Sequence, residues 1–356
     1  MAWQGIEGHD HLVERFRSAL QRGRMAGSFL FVGPAGIGKH TFALKLAQTL
    51  LCNTRPEIDL DPCGACAACT QVAADTHPDL LTVSKPPDKA FIPLDLFIGD
   101  KDHRMREGLC HDISLKPFMG NRKVAVIDDA DFLNAEGANS LLKTLEEPPP
   151  RSVLILVGTT PAKQLPTIRS RCRIIRFDPL AEDVVADLLL RGGHVSDQSE
   201  ARRLAQLAEG SVGRALQMVG GGLVEFRGRL LAALSRPALE SVRLAEAVQT
   251  LVEEAGKEAP RRRARFHQVL DTAVDFYRHL LRSLSGGLAA DDPEMAQYVQ
   301  IAAAQLLGGT ETAAACIDHC LETGESIDRN VHQTNLIEFW ADRLADIYQT
   351  ARTPVR

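Results

Sequence analysis

The sequence predicts an α/β core built on a mostly parallel sheet, followed by helical segments. Three observations predict it. Short, continuous apolar runs alternate with helical patterns as far as about residue 177, as in parallel strands buried on both faces. A glycine-rich loop, Gly33-Pro34-Ala35-Gly36-Ile37-Gly38-Lys39, lies between one such run and a helical pattern. After Pro179 the strand signals cease.

In order, the expected strands are Phe29 to Val32, Leu80 to Val83, Lys123 to Ile127, Val153 to Val157 and Arg173 to Phe177. Each is too short for a bilayer span, which needs about 20 apolar residues. Helical patterns follow over Ala181 to Leu190 and Ser199 to Ala208, punctuated by Gly192-Gly193 and Gly210. Gly220-Gly221-Gly222 is the best hinge, and the rest is helical with expected breaks near Pro260, Gly286-Gly287 and Gly308-Gly309. The division is therefore 1–178 for the core, 179–220 for a small helical domain and 223–356 for a third, all-helical domain. A chain of 356 residues has material for two or three domains.

The 41 basic and 46 acidic side chains sum to −5, which excludes a surface that clings everywhere to nucleic acid. With 45% hydrophobic and 24% charged residues, wholesale disorder is excluded as well. Met1 to Phe16 lack the basic start and apolar stretch of a secretory signal, so a cytoplasmic location is expected.

The glycine-rich loop suits phosphate. Its glycines let backbone N–H groups converge on oxygens, the helix start adds positive potential, and Lys39 supplies a mobile charge. Gly33, Gly36, Gly38 and Lys39 are the candidate phosphate-binding residues. The position after the lysine should carry a hydroxyl for magnesium, and here it is His40. Thr41 does not substitute, because one helical residue turns the side chain by ~100°. ATP with Mg2+ is therefore the expected cofactor only if the site is functional; the alternative is a loop kept for its fold.

The strand Lys123 to Ile127 ends in Asp128-Asp129-Ala130-Asp131. Asp128 stands where a carboxylate can hold magnesium, and Asp129 where a glutamate usually orients the attacking water. A carboxylate one methylene shorter should impair hydrolysis.

Cys52, Cys63, Cys66 and Cys69 follow the pattern Cys-x10-Cys-x2-Cys-x2-Cys within a module of about residues 52–77. Four thiolates complete a tetrahedral zinc site and leave no position for substrate, so the metal should be structural Zn2+. His77 would be a fifth ligand and is set aside. Cys110, Cys172, Cys316 and Cys320 read as buried small apolar residues.

Ala138 to Pro149 forms an amphipathic helix stopped by prolines, and Thr159-Thr160-Pro161 is followed by Leu165 to Cys172, with Arg169 and Arg171 ahead of the last strand. The cysteine module after the phosphate-loop helix, the run Leu141 to Pro149 and the triplet Ser170-Arg171-Cys172 resemble the bacterial clamp-loader members of the AAA+ superfamily. The resemblance covers most of the first 220 residues; the helical tail matches only in general character.

This resemblance implies an AAA+ core, a helical lid over 179–220 and a collar over 223–356 that joins five subunits. It implies gamma/tau and delta clamp-loader subunits as partners, and the sliding clamp and primed DNA as partners reached through the complex. Arg171 would be an arginine finger, a fixed guanidinium given in trans to a neighbouring ATP site. Thr159 or Thr160 resembles the polar sensor, and Arg214 the second sensor in the lid. The family's ATP-hydrolysing gamma/tau type has a hydroxyl after the lysine and an Asp-Glu pair. His40 and Asp129 depart at both, favouring a subunit of the DNA polymerase III holoenzyme that turns over little or no ATP and forms no phosphodiester bonds. An active gamma/tau-type ATPase remains the alternative, and a zinc-ribbon nucleic-acid binder a weaker third. Arg261-Arg262-Arg263 and Arg265 read as a solvated helix start rather than a DNA site.

Overall fold

The structure, a computed structural model, describes residues 3–87, 89–119, 122–219, 222–288, 290, 292–327 and 332–352. Of the expected hinge, Gly220 and Gly221 lie outside the described residues. The chain forms two compact units, Met1–Gln217 and Met218–Arg356.

The first unit is organised by a five-stranded sheet of β1 (Ser28–Val32), β2 (Leu80–Val83), β3 (Lys123–Ile127), β4 (Ser152–Val157) and β5 (Arg173–Arg176). Their order is β2-β3-β4-β1-β5, and every pairing is parallel. The three inner strands are buried along their whole length, which is why they read as unbroken apolar runs. The side-chain period of two splits β1 between two cores. Phe29 and Phe31 join Phe16, Phe42 and Phe177 on one face, with ring centroids 5.1–6.2 Å apart. Leu30 and Val32 face Leu141, Leu145 and Leu156 on the other. Burial of such aromatic side chains contributes several kcal/mol to a core, roughly 1.5–3 for each fully buried phenylalanine. At the sheet edge, β5 exposes Arg173 and Arg176 while burying Ile175, an arrangement that discourages a further strand from pairing.

The helix Ala135–Glu146 starts at Asn134, whose side chain accepts the Gly137 N–H at 2.7 Å, and ends ahead of Pro148-Pro149. Its last turn is tied to the sheet by Ser28 Oγ, which donates to the Leu145 carbonyl at 3.0 Å. The helices Glu182–Arg191, Gln198–Leu207 and Val212–Met218 follow the sheet.

The second unit is helical over its described residues: Leu223–Leu234, Ser241–Glu254, Ala259–Leu284, Pro293–Gln305, Gly309–Ile327 and Gln333–Arg352. The break expected near Pro260 lies between Glu254 and Ala259, and Pro260 itself occupies the first turn of Ala259–Leu284, where its missing N–H costs nothing. Tyr277, Phe276 and Leu280 are buried, and the Tyr277 and Tyr348 hydroxyls meet at 3.0 Å while Tyr348 donates to the Leu234 carbonyl at 2.7 Å. Arg261 pairs with Glu258 at 2.9 Å and Arg262 Nε donates to the Gly256 carbonyl at 2.6 Å, so the basic cluster is partly tied to its own helix start. Among the described residues, no helix is long and apolar enough to cross a membrane.

Candidate functional site

Because β4 lies between β1 and β3, the loops leaving the C-terminal ends of these strands converge. Ends of parallel strands are where such sheets place ligands. Gly33 N–H donates to the Thr159 carbonyl at 3.0 Å, joining the glycine-rich loop to the loop after β4. A cavity of about 670 Å3 opens there, lined by polar residues that include Lys39, His40, Asp128, Asp129, Asp131 and Thr159 and by apolar ones that include Ile6, Leu180, Leu188, Val212 and Leu216, together with Gly36, Gly38 and His9. Its size and mixed lining are those of a small-molecule site.

The loop has the shape for phosphate. Gly33, Gly36 and Gly38 have φ of +154°, +73° and +94°, and Gly38 begins the helix Lys39–Leu51 in the left-handed conformation. Its lysine and several of its carbonyls, however, are engaged within the chain. Lys39, 6% exposed, donates Nζ to the carbonyls of Gly33 at 2.8 Å and Pro34 at 2.5 Å. Burial holds its ammonium below the ordinary lysine value. His9 Nε2 lies 2.9 Å from the Ile37 carbonyl. From the far side, Ser211 Oγ donates to the Ala35 carbonyl at 2.8 Å and Gly213 N–H to the Gly36 carbonyl at 2.9 Å. A Cβ on Gly36 would come within 2.8 Å of Gly213 Cα, so both glycines are needed for this approach.

His40 and Asp128 are brought face to face, with Nδ1 and Oδ2 2.9 Å apart. Burial would raise Asp128, but the imidazole facing it holds its carboxyl below the ordinary range, and Asp128 in turn raises His40. Burial, followed by the neighbouring Asp128 charge, pushes Asp129 up; its backbone is left-handed at φ +53°. These residues do not fit a magnesium ion. The hydroxyl ligand is missing, and an imidazole occupies the carboxylate face that a cation would need.

Thr159 lines the cavity, and its N–H and hydroxyl both donate to Asp131 Oδ2, the N–H at 2.9 Å. Gln164 Nε2 donates to Asp131 Oδ1 at 2.8 Å, and Lys163 Nζ approaches Oδ2 at 3.9 Å. Asp131 thus fixes the loop after β4, a role its place in an acidic run does not reveal. Thr160 instead caps the short turn Pro161–Lys163 by accepting the Ala162 N–H at 3.0 Å. Arg214 is not among the lining residues; its Nη1 lies 3.3 Å from Glu209 Oε2, while Val212, Gly213 and Leu216 around it do line the cavity.

Arg171 also stands apart from this cavity's lining. It follows the short helix Pro166–Arg169, and its guanidinium meets Glu146 through Nε at 2.9 Å and Nη2 at 2.8 Å. Its side chain stays 29% exposed.

The four cysteines of the insertion form one cluster, with all Sγ atoms within 4.8 Å of one another. Cys52 and Cys66 sulfurs are 4.0 Å apart, and those of Cys63 and Cys69 3.8 Å. A tetrahedral zinc with Zn–S of about 2.3 Å places its sulfurs roughly 3.8 Å apart, so the donors fit a four-thiolate metal site. Amides of Cys66 and Cys69 donate to the sulfurs of Cys63 and Cys66 at 3.2 and 3.4 Å. The Thr54 hydroxyl and nearby amides draw the Cys63 thiol down to about 5, whereas burial pushes Cys69 up. His77 stays outside the cluster, its Nδ1 accepting the Asp79 N–H at 3.0 Å. Cys172, Cys316 and Cys320 are buried as expected, their thiols pushed up to about 12, chiefly by burial; Cys110 is half-buried.

The family model described as "DNA polymerase III, delta subunit" matches residues 8–181. DNA polymerase III subunit delta' of Pseudomonas aeruginosa is 34% identical over 60% of this chain and 62% of its own length. DNA polymerase III subunit tau of Escherichia coli is 31% identical over 63% of this chain and 33% of its own length. The chain therefore spans less than two thirds of these relatives. A solved gamma subunit-related protein of DNA polymerase III from Thermotoga maritima aligns over 94% of this chain and 99% of its own, with 16% identity and a TM-score of 0.44. Residues 8–181, which carry the parallel sheet and the phosphate loop described above, are thus similar to the DNA polymerase III delta subunit family.

Proposed function

We propose that this chain is a delta-prime-type subunit of the DNA polymerase III clamp loader. It assembles with gamma/tau and delta subunits and supports ATP-dependent loading of the sliding clamp on primed DNA. Its contribution is structural and electrostatic: Arg171 serves as an arginine finger in trans to an adjacent gamma/tau ATP site, stabilising charge that develops on the transferred phosphoryl group. The observation that carries this reading is the His40–Asp128 contact, which takes the place of metal coordination in the chain's own pocket. Hydrolysis there is accordingly weak or absent, and Gly33, Gly36, Gly38, Lys39, Asp128, Asp129 and Thr159 belong to a relict nucleotide site, with Thr160 and Arg214 outside its lining.

The cysteine cluster holds structural zinc through Cys52, Cys63, Cys66 and Cys69. Bound zinc crosslinks the insertion and performs no chemistry on substrate. The chain's own residues connect the insertion to the core: Trp3 Nε1 donates to the Leu60 carbonyl at 2.6 Å and Gln48 Nε2 to the Cys69 carbonyl at 2.9 Å.

In a complex reconstituted with its ATPase partners, Arg171→Ala is expected to lower DNA-stimulated ATP turnover by about 10³-fold while the variant still incorporates. Unchanged turnover rejects the arginine-finger role. A second reading, a gamma/tau-type ATPase, is favoured by the cavity of about 670 Å3 beside the phosphate loop. It requires magnesium-dependent hydrolysis by the isolated chain that disappears in Lys39→Ala.

A further inference from the structure

We infer that Glu146 is the positioning residue for Arg171; this rests on the arginine-finger reading above. The two side chains come from separate elements, the end of Ala135–Glu146 and the residues after Pro166–Arg169. Both platforms are anchored. Leu141, Leu145, Ile168 and Cys172 are buried, Ser28 Oγ holds the Leu145 carbonyl, and Pro148 packs so tightly on Gly27 that a Cβ there would lie 2.6 Å from Pro148 Cγ. Glu146 Oε2 takes the Nε and Nη2 edge of the guanidinium. On the other side Nη1 donates to the Thr167 carbonyl at 3.2 Å and to Ser170 Oγ at 3.3 Å.

A surface arginine has four rotatable side-chain bonds, and freezing them when the phosphoryl charge forms would oppose catalysis. Glu146 bears that ordering beforehand by fixing the plane of the guanidinium from one edge. It does not bury the charge, since Glu146 is 60% exposed and Arg171 29%. The carboxylate acts on the neighbouring subunit's reaction only through the direction it gives Arg171.

The test compares Glu146→Ala, Glu146→Gln, Arg171→Ala and the Glu146→Ala/Arg171→Ala double variant in the reconstituted complex, measuring incorporation, kcat and KM for ATP. Misplacing a catalytic group costs up to about 10²-fold, so Glu146→Ala should lower kcat at least tenfold with KM unchanged. Glu146→Gln keeps an oxygen for the guanidinium edge and should recover turnover to within about threefold of the wild type, on the same geometric ground. The double variant should be no slower than Arg171→Ala. Wild-type or faster turnover in Glu146→Ala, failed rescue by Glu146→Gln, a raised KM, lost incorporation, or additive losses in the double variant would each overturn the positioning role. A silent Arg171→Ala would instead remove the arginine-finger reading, and the Glu146 inference with it.

Discussion

The cysteine insertion and the phosphate-loop pocket belong to the same compact unit, and each resembles a place for a cation. They differ in what their donors already hold. The four sulfurs gather within 4.8 Å, close to tetrahedral spacing, and among the described residues the cluster consists of cysteines alone. In the pocket, Asp128 faces His40 and Lys39 donates to two loop carbonyls, so the carboxylate that would meet magnesium and the ammonium that would meet phosphate have partners of their own. A metal motif is therefore informative only when its donors remain uncommitted after folding.

The largest expected effect tests the insertion. Purified protein should carry one zinc per chain, and Cys66→Ser should lose most of it. Because structural zinc in small modules binds with about 10–16 kcal/mol, amide protection in Ala67–Ala73 should collapse with it. Elemental analysis and hydrogen exchange read both outcomes, and a fully protected, zinc-free wild type would break the comparison.

The next tests the scaffold of the pocket. Asp131→Asn places an amide among donors from Thr159 and Gln164, leaving at least one of them unmatched. Denaturant unfolding should show a loss of about 2–3 kcal/mol; a loss below about 0.5, the scale of an ordinary surface substitution, would mean that Asp131 does not fix this loop.

His40→Thr sharpens the contrast by removing the imidazole and restoring a hydroxyl. Magnesium-dependent ATP affinity, measured calorimetrically, should rise at least tenfold, about 1.4 kcal/mol. No gain would show that Lys39 or the clasp from Ser211 and Gly213, rather than His40, closes the site.

The smallest effect is a pH dependence. His40 is raised above its ordinary 6.5, so its stabilising contribution is complete below that value and is lost as pH rises through the folded one. Asp128 is lowered from 3.8, so its contribution is present above that value and is lost as pH falls through the folded one. The stability difference between wild type and His40→Ala should be largest between about pH 4 and 6.5 and fade as pH rises through the raised His40 value. A flat difference would mean that the contact carries no net charge stabilisation.

Much of the core was legible because its information is local. The expected strand Leu80 to Val83 is observed with those bounds, and Lys123 to Ile127 likewise; β4 begins one residue earlier than expected, and β5 ends one residue earlier. The break near Pro260 was legible too: the chain leaves one helix at Glu254 and enters the next at Ala259, with the proline in its first turn. At the pocket, the composition of the loop was legible while its occupancy was not. Of the two threonines after β4, only Thr159 lines the cavity.

By itself, the sequence determined the alternation of strands and helices, the glycine spacing of the phosphate loop, the missing hydroxyl at His40 and the four-cysteine donor set. Each depends on residue type and spacing along a short stretch of chain. Only the tertiary structure decided that His40 meets Asp128, that Lys39 turns to carbonyls, that Asp131 gathers the loop after β4, and that Glu146 holds Arg171. A charged side chain takes its partner from whatever the strand order and helix packing bring within about 4 Å, a distance that sequence separation does not encode.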